Sequence, residues 1–167
     1  MIILLVPVGV PVLGAITYAV FGWRRATALV SAASAAIVLA SAIGIAADVA
    51  AGGPGTAMAG LVRADAVSAF MLIVIGAVAL LATTATPSYL RAEIAAGRAT
   101  ARTAARHSLL VQLFLAAMAL AVLAANLGVV WVAIEATTIV TAFLVGQRRT
   151  RRLSLIHISE PTRLRRI

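Results

Sequence analysis

The sequence predicts an all-α membrane protein, a polytopic bundle of five transmembrane helices. Of the 167 residues, 63% are hydrophobic and only 11% are charged, and the mean hydropathy is +1.09. A soluble domain is about 45–50% apolar and about 25% charged. The apolar residues form five runs, each long enough to cross a bilayer core of about 30 Å. The arginines lie between these runs or after the last of them. Composition therefore excludes a water-soluble fold.

The five predicted spans follow the five apolar runs, and polar or glycine-rich segments separate them. They are residues 2–22, 27–47, 66–85, 108–125 and 127–146. Pro7 and Pro11 predict a bend in the first span. Small residues in the second favour close helix packing. Asp65 stands where an N-cap of the third span is expected.

The connections also carry structural information. The glycine-rich stretch 51–55 predicts a flexible loop, and it lacks the Gly-Lys-Ser/Thr sequence of a phosphate loop. The basic stretch 87–106 predicts a loop with a short interfacial helix. A tight turn near Asn126 predicts that the fourth and fifth spans form an antiparallel hairpin.

Arginine placement predicts the orientation of the bundle. Alternate connections, after the first, third and fifth spans, hold ten arginines, whereas the intervening connections hold only Arg63. Basic residues concentrate in the cytoplasmic loops of membrane proteins. We therefore expect the N-terminus outside and the end of the fifth span inside.

Composition also limits the partners and cofactors. The chain has no cysteine, so disulfides and thiol ligands are excluded, and we expect no metal or cofactor in this chain. The net charge of +9 would suit nucleic acid in a soluble protein. Here no aromatic side chains accompany the arginines as a base-stacking surface would require. The expected partner of these charges is the lipid bilayer.

Glu135 is the candidate functional residue because it lies near the middle of the fifth span. An acid at mid-membrane costs roughly 2.5–3.5 kcal/mol on insertion scales and commonly handles protons. Helical spacing places Trp131 and Thr138 on its face. Hydroxyl groups there are expected to bond the acid or hold water. The alternative is a neutral Glu135 that only joins two helices.

Two further polar residues are possible supporting groups. Gln112 lies in the fourth span, where an interhelical hydrogen bond is the simplest interpretation and a water path the other. His107 lies at the membrane edge beside Arg106. Its residue type suits proton exchange near neutral pH, although such histidines are often structural.

The last fifteen residues differ from the rest of the chain. Residues 153–163, LSLIHISEPTR, resemble the translation of a transposase-type sequencing adapter. We therefore predict that residues 1–152 are the native membrane segment and that 153–167 are a non-native tail, produced when the reading frame ran past the end of a cut gene.

The segment from Trp131 to Thr138, followed by Ala142 to Gly146, resembles a known family. This is the family of proton-pumping, antiporter-like membrane subunits found in respiratory complex I, Mrp-type sodium/proton antiporters and membrane-bound nickel–iron hydrogenases. The likeness is strongest to component F of hydrogenase-4 and formate hydrogenlyase. It covers residues 60–150, with weaker support from residues 65–70 and 88–91.

This resemblance implies a fragment of a larger protein. Family members have about fourteen spans, and a glutamate on the fifth pairs with a lysine on the seventh. Glu135 matches that glutamate, whereas the chain contains no lysine. The implied function is proton translocation in a respiratory NADH:quinone oxidoreductase or a hydrogenase complex. The implied location is the bacterial cytoplasmic membrane.

In that interpretation the chain is a non-catalytic subunit that works with other membrane subunits and is inactive alone. The resemblance identifies neither the redox partner nor whether protons or sodium ions are coupled. Two alternatives remain open: a small membrane scaffold or assembly subunit, and a small proton-coupled exporter in which Glu135 couples to the substrate.

Overall fold

The computed structural model describes residues 2–24 and 26–146, which form a bundle of five long helices. A 3-10 turn, Ile2–Leu5, leads into the first helix. The helices are α1 (Val6–Phe21), α2 (Val30–Gly52), α3 (Ala66–Ala95), α4 (Ala101–Leu123) and α5 (Leu127–Gly146). All five are long and apolar enough to cross a membrane. The prediction of five helices with the length and composition of membrane spans is therefore confirmed.

Consecutive helices pack against each other, and α1 also packs against α4, while α5 packs mainly against α4. Short connections force neighbouring helices to run antiparallel, so the α1–α2 and α3–α4 connections share one end of the bundle. Two clusters form the core. The first includes Leu4, Ile45, Leu72 and Leu123. The second, formed by Ala35, Val38 and Leu115, joins α2 to α4.

Small residues allow the close packing of α2, as the sequence predicted. The buried face of this helix consists of Ser31, Ser34, Ala35, Val38, Ser41, Ala42 and Ile45. At the crossing with α3, a Cβ on Gly76 would lie 2.9 Å from the Cα of Leu39. Only a residue without a side chain permits this approach of the two backbones.

Helix α3 is ten residues longer than predicted, because it continues through Pro87 to Ala95. Helix α4 also begins seven residues earlier than predicted, at Ala101, so the predicted basic loop with an interfacial helix is reduced to residues 96–100. A proline inside a helix removes one backbone hydrogen bond and costs about 3 kcal/mol. Pro87 and Leu90 are both buried, and their packing offsets this cost. Arg91 Nε also donates to the Pro87 carbonyl at 3.0 Å.

Residues 51–55 do not form the expected flexible loop as a whole, because residues 51 and 52 end α2 and Gly55 begins a β-hairpin. Strand β1 (Gly55–Ala57) pairs antiparallel with β2 (Val62–Ala64). Val62 also forms a bridge with Ala124, and the Ala125 N–H donates to the Leu61 carbonyl at 2.9 Å. The hairpin is therefore fastened to the turn between α4 and α5.

Side-chain hydrogen bonds lie at the starts of two helices, where the sequence predicted a cap and a tight turn. The Asp65 carboxylate accepts from the Ser68 N–H at 2.9 Å and from the Ser68 hydroxyl at 3.0 Å. This confirms Asp65 as the N-cap of α3. In the turn before α5, Asn126 Oδ1 accepts from the Gly128 N–H at 2.7 Å, and α4 and α5 form the predicted antiparallel pair.

Candidate functional site

Glu135 lies near the middle of α5, and its side chain is exposed on the outer surface of the bundle. Helix α5 is apolar on all sides, with only Ala133 and Val140 buried. Its exposed side chains include Trp131, Val132, Ile134, Ile139 and Phe143. In a membrane, this face would meet either lipid or another helix.

The predicted neighbours of Glu135 lie on α5 as expected, but their hydroxyls bond elsewhere. Trp131 is 65% exposed, and Thr138 is exposed too. The hydroxyls of Thr137 and Thr138 donate to the Ile134 carbonyl at 2.7 and 3.1 Å, and that of Thr141 donates to the Thr137 carbonyl at 2.7 Å. Because these hydroxyl protons are used in hydrogen bonds to the α5 backbone, only the hydroxyl lone pairs remain for a water or a partner beside Glu135.

Within residues 2–24 and 26–146, no hydrogen bond and no ion pair involves the Glu135 carboxylate. Glu135 therefore does not join two of the described helices. The simple structural alternative, in which this acid locks the bundle internally, finds no contact in this part of the chain.

Gln112 lies apart from Glu135, in the interior of the bundle. It is fully buried on α4, and its side chain packs against Gly14 of α1, where a Cβ would lie 2.9 Å from Gln112 Cδ. Neither its Oε1 nor its Nε2 has a hydrogen-bond partner among the described residues. Within the part of the chain that the structure describes, Gln112 lies between two helices but forms no interhelical hydrogen bond.

His107 is half-buried in the second turn of α4, close to the arginine-rich end. The adjacent Arg106 places its guanidinium 6.0 Å from the ring centre of Phe143 on α5. Phe143 lies eight residues beyond Glu135, which corresponds to about 12 Å along the helix axis. The structure thus places Glu135, Gln112 and His107 at three separate positions and does not bring them together.

Charged groups in and beside the α3–α4 connection are concentrated at the same end. Arg98 forms an ion pair with Glu93 at 2.8 Å, and the hydrogen bond to Glu93 raises the pKa of the Arg98 guanidinium. Both lie near the short α3–α4 connection, together with Arg102 at the start of α4. In the part of the chain that the structure describes, no three His, Cys, Asp or Glu side chains gather as metal ligands.

Sequence reasoning missed Ser34, whose buried hydroxyl lacks a partner among the described residues, as does the Gln112 amide. In the sequence Ser34 is only one of several small residues in α2, and its inward direction depends on how α1 and α2 pack.

No protein-family model and no curated protein matches this chain. The family resemblance therefore rests on the motifs around Glu135, with weaker support from residues 65–70 and 88–91.

Proposed function

We propose that this chain is the N-terminal part of a proton-translocating, antiporter-like membrane subunit, with Glu135 as its membrane-embedded proton relay. The parent complex would be a respiratory NADH:quinone oxidoreductase or a membrane-bound hydrogenase. The subunit would conduct protons and leave redox catalysis to its partner subunits. The observation that carries the proposal is a lone carboxylate at the centre of a transmembrane-length helix, on the face turned away from the other helices.

The free-energy cost of a charge in the bilayer supports a partner for Glu135 outside the described residues. An ionised side chain in the bilayer centre costs roughly 2.5–3.5 kcal/mol, and intramembrane acids pair with other groups or line a water-filled cavity. Glu135 has no such partner within the described residues. Further helices packed on the exposed face of α5 would cover the acid and could present a lysine to it.

The surroundings of Glu135 also suit a docked helix. Exposed Val132, Ile139 and Phe143 supply apolar area near the acid. Because lipid tails cover apolar groups equally well, these side chains alone do not require a protein partner. The Glu135 carboxylate does require a protein partner, because lipid tails offer it no hydrogen bond.

The genomic sequence beyond codon 152 tests this proposal directly. The expected result is a continuous reading frame with further apolar spans and lysines near their centres. A stop codon directly after the arginine cluster would contradict it. That result would favour the scaffold or a small exporter in which a second copy covers Glu135.

Substitution of Glu135 in the intact parent protein tests the role of the acid. Glu135→Gln keeps the size and hydrogen-bonding capacity of the side chain but removes the titratable proton. We expect it to abolish proton transport into sealed vesicles and to slow the coupled redox reaction, while the complex still assembles.

The matched control is Glu93→Gln, which removes the carboxylate paired with Arg98 outside the apolar part of the bundle. This variant should retain proton transport. Normal pumping by Glu135→Gln would overturn the relay role, and loss of assembly without loss of specific activity would favour a structural role.

A further inference from the structure

An open groove runs along the outer surface of the bundle between α1 and α2. Its volume is about 230 Å³, and the residues that line it are Val10, Leu13, Gly14 and Thr17 of α1 and Val30, Ala33, Ser34 and Ile37 of α2. Seven residue steps along each helix correspond to about 10 Å. The end formed by Thr17 and Val30 adjoins the α1–α2 connection.

The groove offers an occupant apolar surface and little else. Its two hydroxyl residues are Thr17 and Ser34. The Thr17 hydroxyl donates to the Leu13 carbonyl at 2.9 Å, and the Ser34 hydroxyl oxygen is buried beneath the surface. None of the lining residues is charged. A hydrocarbon chain suits this surface, because it needs no hydrogen-bond partner.

The connection at the end of the groove has a defined backbone, which fixes the position of Arg24. The Arg24 N–H donates to Thr27 Oγ1 at 2.8 Å, and the Arg24 carbonyl accepts from the Ala28 N–H at 2.9 Å. The Tyr18 hydroxyl in turn donates to the Thr27 carbonyl at 2.7 Å. Because Tyr18 and Thr27 are both buried, this arrangement ties Arg24 to the packed helices.

Two residues of the connection mark the level of the lipid headgroups. Trp23 is half-buried and Arg24 is exposed, and tryptophan is enriched at the membrane–water interface. Helix α1 continues from Thr17 to Phe21, about 6 Å beyond the groove. The headgroup layer is about 5–8 Å thick. A lipid with one acyl chain in the groove would therefore have its phosphate near Arg24.

The charge beside the groove is positive and is not neutralised by the described residues. Arg24 forms no ion pair in that part of the chain, and a second arginine follows it in the sequence. The first acid of the chain is Asp48, near the opposite end of α2. Glu93, the described acid nearest this end, pairs with Arg98 at 2.8 Å. An anionic headgroup would complement Arg24.

We propose that the α1–α2 groove binds an anionic phospholipid, with one acyl chain along the groove and the phosphate paired with Arg24. A zwitterionic lipid fits the apolar part equally well, but its own cationic group offsets its phosphate. The arginine therefore selects for net negative charge. The site lies on α1 and α2 and does not depend on the role of Glu135.

Native mass spectrometry of the chain in detergent tests the headgroup preference. Phosphatidylglycerol and phosphatidylcholine with identical acyl chains are the probes, and the affinity ratio of the first bound lipid is measured. Arg24→Gln should lower this ratio about fivefold, the factor that one arginine contributes near an anionic surface. Arg63→Gln is the matched control, because it removes the same charge from the exposed hairpin at the opposite end. An unchanged ratio in Arg24→Gln, or an equal decrease in both variants, would overturn the proposal.

Filling the groove tests the position of the acyl chain. Ala33→Leu places a larger side chain in the groove and should weaken the binding of both lipids. Ala36→Leu is the matched control, because Ala36 is also exposed on α2 but does not line the groove. Thermal unfolding verifies that both variants fold. Unaltered lipid affinity in a folded Ala33→Leu variant would overturn the proposal, because the headgroup would then bind without the groove.

A measurement on the unsubstituted chain avoids any effect of the substitutions on folding. Phosphatidylglycerol with a photoactivatable diazirine in one acyl chain is irradiated with the chain, and the crosslinked peptides are identified by mass spectrometry. We expect crosslinks within residues 10–17 and 30–37. Crosslinks confined to the other helices would overturn the proposal. So would a dimer in which a second copy covers the groove and excludes the lipid.

Discussion

At the scale of single residues, Asp65 shows how one side chain fixes the start of a span. Its carboxylate accepts two hydrogen bonds from Ser68. The Ser68 backbone N–H is the main reason why the pKa of the Asp65 carboxyl is lowered, and the Ser68 hydroxyl acts in the same direction. The sequence predicted this cap, because an acid directly before an apolar run compensates the unpaired N–H groups of the first turn.

We expect Asp65→Ala to lower the unfolding temperature in detergent at neutral pH. Because the folded-state pKa of Asp65 lies below its unfolded value, this stabilisation is fully present above the ordinary pKa of an aspartate. It is lost as the pH falls through the folded value. The difference from the unsubstituted chain should therefore shrink as the pH falls below the ordinary pKa of an aspartate.

Asp48→Ala is the control, since Asp48 is exposed near the C-terminal end of α2, where an acid opposes the helix dipole. It should leave the unfolding temperature unchanged or raise it slightly. A pH-independent effect of Asp65→Ala would contradict the charge-based role of the cap.

Gln112 illustrates what the sequence does not supply at this scale. Its residue type predicted an interhelical hydrogen bond, yet the amide faces a helix position, Gly14, that offers no side chain. Whether a buried polar group finds a partner depends on the register between α1 and α4. That register follows from packing of the whole helices rather than from any local pattern.

At the scale of secondary-structure elements, the contact between α2 and α3 depends on a single glycine. A Cβ on Gly76 would lie 2.9 Å from Leu39 Cα and 3.1 Å from Leu39 N. These are backbone atoms and cannot rotate away as a side chain can. The two helices would have to separate to admit a methyl group.

Gly76→Ala should therefore destabilise the bundle by about 1–3 kcal/mol, the usual cost of overpacking. Gly9→Ala on α1 is the matched control, because no atom lies within 4 Å of the added Cβ. Alanine has the higher helix propensity, so this variant should be neutral or stabilising. Thermal unfolding of both variants in detergent measures the difference, and equal midpoints would argue against the close crossing.

The positions of the helices were predictable, whereas several of their ends were not. Apolar runs identify spans because the bilayer thickness imposes a minimum length. The continuation of α3 through Pro87 depends on burial of Pro87 and Leu90, which a local sequence pattern does not reveal. The hairpin was not predictable either, because residues 53–64 lack the Asn-Gly or Asp-Gly pair that marks tight turns. Instead, Met58 and Ala59 adopt the left-handed backbone angles of the turn.

At the scale of the whole molecule, the arginines are distributed unequally between the two ends of the bundle. The α1–α2 and α3–α4 connections lie at the same end of the bundle, and they or the adjoining helix turns carry Arg24, Arg91, Arg98 and Arg102. The hairpin at the opposite end carries Arg63. This asymmetry motivates the proposal that the first end faces the cytoplasm.

Labelling of single cysteines in intact cells tests that orientation. Met58→Cys in the hairpin and Ala96→Cys after α3 both replace exposed residues. A membrane-impermeant maleimide should label Met58→Cys in intact cells and Ala96→Cys only after lysis. The reverse pattern would invert the proposed topology, and labelling of both in sealed cells would contradict a membrane-spanning bundle.

The candidate relay could be identified from the sequence, but its surroundings could not. Glu135 is conspicuous because acids are rare within apolar runs. Helix α5 is apolar on every side, so its sequence does not indicate which face meets α4. Packing against α4 buries Ala133 and Val140 and leaves Glu135 outside, which makes the acid available to a partner rather than to the described bundle.

The hairpin also has a consequence for biogenesis. Strand β2 is synthesised well before Ala124, yet the two pair in the finished fold, and Leu61 accepts a bond from Ala125. These contacts cannot form during synthesis until α4 has crossed the membrane. They therefore form late. They hold the first three helices in register with the α4–α5 pair only after both groups of helices have been inserted.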